Sequence, residues 1–158
     1  MRIKTDFVTN SSSSSFLVVF DKLPETVEEM KKVLFGDNDT FPNPYAEYHV
    51  VKAWNAMEVA KIVFEDTHLA DDADILEFLE GYISDEIYEG FRSGDFDWKA
   101  YHEKLSAKSK EKLETFLKSH AEKSFAVYNY SDNDGELACA MEHGDLFDNL
   151  VHLKESQH

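Results

Sequence analysis

The C-terminal part of this sequence is rich in side chains that bind metal ions. Asp132 and Asp134 lie in the polar segment YSDNDGE, Glu142 and His143 follow in AMEH, and His152 comes later. Carboxylate oxygens and imidazole nitrogens are common ligands of zinc and related divalent ions. In such a site the carboxylates would hold the ion, and a histidine would act as a ligand or a general base. These five residues therefore predict a divalent-metal site.

The spacing of these residues does not match a standard ion-binding motif. A calcium loop of the EF-hand type needs an acid at its first position, glycine at its sixth and glutamate at its twelfth. With Gly135 at the sixth position, Tyr130 occupies the first and Met141 the twelfth, so both terminal ligands are missing. The zinc motif H-E-x-x-H is also absent. A polar turn with solvated carboxylates and histidines is the more common alternative, and the metal site would form only if the C-terminal tail folds back onto the turn.

A run of five serines separates two apolar segments near the N-terminus, in TDFVTNSSSSSFLVVF. Small side chains permit close approach of another backbone, and hydroxyls can satisfy that backbone or hold an oxyanion or a modifying group. If extended, the segment would span roughly 20 Å, enough to cross one edge of a small sheet. The candidate binding residues are Asn10, Ser11, Ser12, Ser13, Ser14 and Ser15.

Other catalytic signatures are missing from the sequence. It contains no G-x-S-x-G elbow, no glycine-rich phosphate loop and no dinucleotide fingerprint, and it has only six glycines. Cys139 is the only cysteine, so an internal disulfide is excluded. Its small apolar neighbours favour a buried, inert thiol over a nucleophile. Nothing in the sequence therefore names a reaction.

The charge balance restricts the partners that the protein can bind. Its 32 acidic and 16 basic residues give a formal net charge of −16. A field of that sign repels phosphate backbones and anionic lipids, which argues against direct binding to nucleic acid or membrane surfaces. It favours a basic protein partner instead. No apolar run reaches the length of a membrane helix, and the N-terminus has no apolar signal core, so we expect a cytoplasmic protein. The oligomeric state stays open.

Short apolar runs at both ends of the chain predict β-strands. SFLVVF, residues 15–20, is typical of a strand that is buried on both faces. Near the C-terminus, KSFAVYNY and ELACAMEH flank SDNDG, and two short runs around an Asp-Gly pair predict a β-hairpin. The remaining tail, GDLFDNLVHLKESQH, predicts a short final helix or a docked segment.

Between these strands, apolar residues recur at intervals of three and four, which predicts amphipathic helices. The predicted helices cover residues 24–36, 57–65, 72–92 with a break near Gly81 or Ser84, and a stretch from Asp97 that restarts at Ser106 or Ser109. Residues 37–48 predict an irregular loop, and YHVVKAW predicts an edge strand or the approach to the second helix. The whole chain, residues 1–158, is therefore predicted to be one α+β domain. Its small, mainly antiparallel sheet combines the N-terminal strand with the C-terminal hairpin, and three to five helices cover one face.

The stretch TDFVTNSSSSSF, residues 5–16, resembles an N-terminal signature of small bacterial and phage-associated proteins of unknown function. The segment YSDNDGELACAMEHGDLFDNL is similar to an acidic segment of the same group. The resemblance implies no reaction, cofactor or partner. It implies that the serine tract is an element of the protein itself and that residues 10–15 and 132–143 should be tested together.

Two classes of function follow from these patterns. The first is a non-catalytic binding or regulatory protein whose acidic surface engages a basic partner. The second is a metal-binding module or metal-dependent enzyme that uses the C-terminal Asp, Glu and His residues. The two are separated by whether those side chains meet in space.

Overall fold

A computed structural model describes residues 12–92, 94 and 96–157 of the chain. The elements in chain order are β1 (Ser13–Phe20), α1 (Val27–Phe35), β2 (Thr40–Pro42), β3 (Ala53–Asn55), α2 (Ala56–Asp66), α3 (Asp72–Glu89), α4 (Trp98–Ser119), β4 (Ser124–Ser131), a 3-10 turn (Asp132–Asp134), α5 (Glu136–His143) and β5 (Val151–Gln157). They form an α+β fold, which confirms the predicted fold class. None of the described helices combines the length and the apolar character needed to cross a membrane.

The N-terminal strand β1 is the centre of a three-stranded antiparallel sheet with the order β4–β1–β5. Val18 of β1 lies opposite Ala126 of β4 on one side and His152 of β5 on the other. Successive side chains of a strand point to opposite faces. Both Leu17 and Val18 are fully buried, which confirms that β1 is covered on both faces.

Helices pack on both faces of the sheet. One face carries Phe16, Val18 and Phe20 and packs against α1, α2 and α5. The other carries Leu17 and Val19 and packs against α3 and α4. The prediction that helices cover only one face is therefore wrong, because the apolar residues of β1 occupy both alternating sets and each face must be shielded from water.

The prediction of a C-terminal hairpin is wrong because the segment expected to form its second strand is a helix. ELACAMEH forms α5, and the partner of β1 on that side is β5, in the tail that was predicted to be a helix or a docked segment. Gly135, the residue directly before the helix, has φ 111°, a backbone angle that favours glycine. Leu137, Ala140 and Met141 then face the core at helical spacing. Periodicity alone does not separate helix from strand in so short an apolar run.

The two long helices are continuous where breaks were predicted. Helix α3 runs through Gly81 and Ser84, and α4 runs through Ser106 and Ser109. The hydroxyl of Ser109 donates to the carbonyl of Leu105 one turn earlier, so this serine is satisfied inside the helix.

Helices α1 and α2 confirm the predicted helices over residues 24–36 and 57–65, although their ends are shifted. Helix α1 begins at Val27, where Thr26 caps the free backbone amides, and α2 begins at Ala56 after the cap Asn55. The edge strand expected in YHVVKAW is the short β3, which pairs with β2 from the predicted loop. These two strands form a small separate sheet beside α2.

Candidate metal centre

The pairing of β1 with β4 brings the serine tract to the acidic turn. Ser13 lies opposite Ser131 at the end of the two strands, so the preceding Ser12 reaches the following Asp132. The backbone amide of Ser12 donates to Oδ1 of Asp132 at 3.1 Å, and its hydroxyl donates to Oδ2 at 3.0 Å. The amide of Asp132 in turn donates to the carbonyl of Ser12 at 3.2 Å.

Helix α5 adds two side chains to this end of the sheet. The hydroxyl of Ser12 lies 3.1 Å from Oε1 of Glu142 and 3.1 Å from Nε2 of His143. The hydroxyl of Ser14 donates to the other carboxylate oxygen of Glu142 at 3.1 Å. Ser12 and Ser14 are two residues apart in an extended chain, so both face the side of the sheet that α5 covers.

Asp132, Glu142 and His143 together form what we call the Asp-Glu-His cluster. One ligand atom of each residue lies within 4.8 Å of the other two, and Oε1 of Glu142 is 3.3 Å from Nε2 of His143. A divalent ion at about 2.1 Å from each ligand separates the ligand atoms by roughly 3 to 4 Å. Small side-chain movements would therefore close the cluster around an ion.

The cluster combines two carboxylates with little positive charge. Glu142 is completely buried, whereas Asp132 and His143 are half-buried. Lys154 donates to the backbone carbonyl of Glu142 at 2.7 Å. Within the described part of the chain, the only basic side chain in ion-pair contact with the Glu142 carboxylate is that of His143, and it is charged only when protonated. A buried carboxylate is costly unless it is paired, so this arrangement favours a cation.

The hydroxyl of Ser12 has more neighbours than it can satisfy as a donor. A serine hydroxyl has one proton. Oδ2 of Asp132 and Oε1 of Glu142 both lie within donating distance of it, and Nε2 of His143 is a third neighbour. At most one of these contacts receives the proton, so the remaining carboxylate oxygen depends on another donor, such as the His143 ring 3.3 Å from Oε1 of Glu142, on water, or on a bound cation.

Tyr45 and Cys139 lie beside the cluster. The ring of Tyr45 meets the ring of His143 edge-on, with centroids 5.8 Å apart. Burial raises the pKa of the Tyr45 phenol, and the neighbouring groups of Cys139, Glu142 and Asp132 add to the rise. Burial likewise raises the pKa of the Cys139 thiol, with further contributions from nearby carboxylates that include those of Asp132 and Glu142. The thiol is half-buried and held protonated, which agrees with an inert role.

A compact loop holds Tyr45 in this position. The side chain of Asn43 is buried, donates to the carbonyl of Val51 at 2.8 Å and accepts from the amide of Tyr45 at 2.9 Å. Lys52 donates to the carbonyl of His49 at 2.8 Å and closes the loop a second time. No local spacing in the sequence points to Tyr45, because the loop reaches the cluster only through the packing of the small β2–β3 sheet.

Two of the predicted metal ligands lie outside the cluster. Asp134 is exposed at the end of the 3-10 turn. His152 lies on β5, where its ring packs 6.4 Å from that of Phe16 and its Nδ1 is 3.0 Å from the carbonyl of Leu150. The cluster therefore contains three of the five predicted ligands.

The predicted serine-tract residues divide between the two faces of the sheet. Ser12 and Ser14 join the Asp-Glu-His cluster, as described above. Ser15 faces the other side, and its hydroxyl donates to the side chain of Asn129. Ser13 alternates with Ser12 and Ser14 and belongs to the same side as Ser15. Asn10 and Ser11 lie outside the described residues.

No protein-family model, curated protein or solved structure matches this chain. The resemblance of residues 5–16 to small bacterial and phage-associated proteins therefore stays a prediction. The function has to be inferred from the chemistry of the Asp-Glu-His cluster and of the protein surface.

Proposed function

We propose that this protein is a divalent-metal-binding module whose ligands are Asp132, Glu142 and His143. The observation that carries the proposal is the convergence of two carboxylates and an imidazole around the Ser12 hydroxyl, with Glu142 fully buried. Mixed oxygen and nitrogen ligands suit zinc, manganese or ferrous ions. A bound ion would supply the positive charge that the two carboxylates need.

Three protein ligands leave at least one coordination position for water or another molecule, as in catalytic metal sites. A groove of about 390 Å³ borders His143, and Pro42, Pro44, Asp145 and Asp148 also line it. Of the three proposed ligands only His143 borders this groove, so a small molecule would approach a bound ion from the His143 side. A metal-dependent hydrolytic reaction at the open position is the enzymatic form of the same proposal, with the ion activating water.

Native mass spectrometry of untagged protein purified without chelator, before and after denaturation, tests this function. The expected result is a stoichiometric mass excess that denaturation removes. Titration of chelator-treated protein with Zn²⁺ or Mn²⁺ should then show one site. Asp132→Asn should weaken it by about tenfold or more, whereas Asp134→Asn, two residues away and exposed, should leave it unchanged. A bare polypeptide mass together with no detectable ion binding would refute the proposal.

A second candidate function is binding to a basic partner protein, which the net charge of −16 favours. Helix α3 concentrates that charge, since it contains acidic residues and no lysine, arginine or histidine. The acids of this helix are Asp72, Asp74, Glu77, Glu80, Asp85, Glu86 and Glu89. The test is binding to a basic protein at low salt and at about 0.5 M salt, where screening should abolish it. Binding no tighter than that of an equally acidic control protein, or insensitive to salt, would exclude this function.

Both functions are proposed for a reducing, cytoplasmic setting. The single cysteine leaves the fold without an internal disulfide, and the thiol of Cys139 is free. Direct recognition of nucleic acid is not proposed, because the negative field opposes it.

A further inference from the structure

A groove of about 540 Å³ lies on the sheet face opposite the Asp-Glu-His cluster. Residues of α3, of the segment that precedes it and of all three strands of the sheet line this groove. Carboxylates of Asp74, Glu77 and Glu155 line it, together with the apolar side chains of Phe78 and Val127. We call this feature the acidic groove. It contains both charged and apolar walls, so it differs from an ordinary solvated acidic surface.

Glu155 lies directly on the backbone of α3. A Cβ atom at Gly81 would come within 2.6 Å of the Glu155 carboxylate, so the absence of a side chain lets the carboxylate rest there. In the groove, the Glu155 carboxylate accepts a hydrogen bond from the side chain of Gln157 at 3.2 Å. This close approach places the carboxylate of Glu155, on β5, in the same groove as Asp74 and Glu77 of α3.

Little positive charge surrounds the three carboxylates: of the described residues that line the groove, only His68 can carry a positive charge, and only when it is protonated. The Asp74 carboxylate accepts a hydrogen bond from the backbone amide of Asp71 at 3.1 Å. Across residues 12–92, 94 and 96–157, no salt bridge involves Asp74, Glu77 or Glu155. Like charges that share a site repel one another, and a cation placed among them relieves the repulsion. The charge of the groove is therefore complementary to a cationic group, in keeping with the net charge of the whole chain.

We propose that the acidic groove binds a lysine or arginine side chain presented by a partner protein. This inference rests on the second proposed function and names its docking site. The methylene stem of the basic side chain would pack on Phe78 and Val127 while its charged end reaches the carboxylates. Leu69, which is 67% exposed, borders the groove and gives the partner an apolar contact next to the charges. An adjoining apolar surface favours a polypeptide over a free amine, because a small amine would leave Leu69 uncovered.

The probe is a fluorescent peptide of about twelve residues that alternates lysine and serine, compared with a glutamine-for-lysine version, by anisotropy at low salt. EDTA is present throughout, so that the metal centre does not contribute. The groove variant is Glu77→Gln with Glu155→Gln. The control variant, Glu28→Gln with Glu65→Gln, removes the same charge from exposed positions on other helices. We expect the groove variant to weaken binding of the lysine peptide by about tenfold, and the control by less than about twofold.

Each result distinguishes the docking site from the function on which it rests. Equal weakening in both variants would overturn the groove assignment and leave a general acidic binding surface. Failure of the unmodified protein to prefer the lysine peptide would overturn the groove and the basic-partner function together. If spermine binds as tightly as the peptide and depends on the same two glutamates, the ligand is a free polyamine and the partner-protein assignment is wrong. Circular dichroism of both variants controls for folding, and Glu77→Gln alone, at an exposed position, serves if the double variant is unstable.

Discussion

The hydroxyl of Ser12 lies 3.1 Å from the carboxylate of Glu142, although 130 positions separate the two residues in the sequence. The contact exists because β1 pairs with β4 and α5 follows β4 after one 3-10 turn. It joins the serine tract to the acidic segment that contains Asp132, Glu142 and His143. It also makes serine hydroxyls part of the surroundings of any bound ion.

Replacing Glu142 by glutamine should separate stability from metal binding. The change removes a buried charge and preserves the shape, so in EDTA we expect the free energy of unfolding to fall by no more than about 1 kcal/mol, or to rise. In the unmodified protein, a metal concentration of 100 times Kd should raise that free energy by about 2.7 kcal/mol, and Glu142→Gln should lose this gain. Urea unfolding with and without Zn²⁺ measures both. A variant that keeps the full metal-dependent gain would show that Glu142 is not a ligand.

Two serines of the tract provide a matched pair. Ser12→Ala removes a hydroxyl next to Asp132, Glu142 and His143, so we expect a loss of about 1 to 3 kcal/mol in stability without metal and a several-fold loss of metal affinity. Ser13→Ala changes a side chain on the other face and should leave metal affinity unaltered. Calorimetric titration and urea unfolding measure the two quantities. Equal effects of both substitutions on metal affinity would remove Ser12 from the site.

Tyr128 should give the protein a measurable loss of stability in alkaline solution. Burial raises the pKa of Tyr128 to about 12, whereas the unfolded chain ionises this group near 10. The protonated Tyr128 contributes its full share to the free energy of unfolding below about pH 10, the pKa in the unfolded chain. That contribution is lost as the pH rises toward the pKa of the folded protein. Tyr128→Phe loses the hydrogen bond with Thr67, 2.7 Å in length, and should be about 1 kcal/mol less stable at pH 7. A pKa difference of about 2 corresponds to about 3 kcal/mol, which exceeds the advantage of about 1 kcal/mol at pH 7, so the difference should shrink above about pH 10 and reverse in sign before about pH 12. A constant difference in urea unfolding would contradict the assigned pKa.

Cys139 should react slowly with alkylating reagents. Burial and neighbouring carboxylates raise the pKa of its thiol, and the thiolate is the reactive form. At pH 8 we expect labelling by iodoacetamide to be at least about tenfold slower in the folded protein than in urea. Mass spectrometry at successive times measures the rate. Labelling as fast as that of the unfolded chain would indicate an activated cysteine instead.

Gly81 links helix stability to the acidic groove. Alanine is favoured over glycine in a helix by about 1 kcal/mol, and the group that its Cβ would meet is the mobile end of the Glu155 side chain. We therefore expect Gly81→Ala to raise the melting temperature slightly while it displaces the Glu155 carboxylate and weakens binding of the lysine peptide. Thermal unfolding and peptide anisotropy test the two effects. A lowered melting temperature would mean that Glu155 cannot move aside.

Local sequence patterns predicted a helix or strand correctly where one periodicity of apolar residues dominated the segment. SFLVVF has apolar residues at every position after its serine, so the buried strand was predicted correctly, and the repeat of Ile75, Phe78 and Leu79 marked α3. ELACAMEH was assigned wrongly because its few apolar residues suit a strand or a helix equally well. The helix forms because Leu137 packs into the same core as β1 while the tail supplies the third strand.

The sequence by itself determined the α+β class, the buried central strand, the acidic character and the residue types suited to an ion. Only the tertiary structure decided that Asp132, Glu142 and His143 meet at Ser12, while Asp134 and His152 lie elsewhere. It also decided that Glu155 lies on Gly81 and borders the acidic groove. The physical reason is that these contacts depend on which strands pair and in which register. The pairing in turn depends on burying both faces of the sheet, and this joins residues that are far apart in the chain.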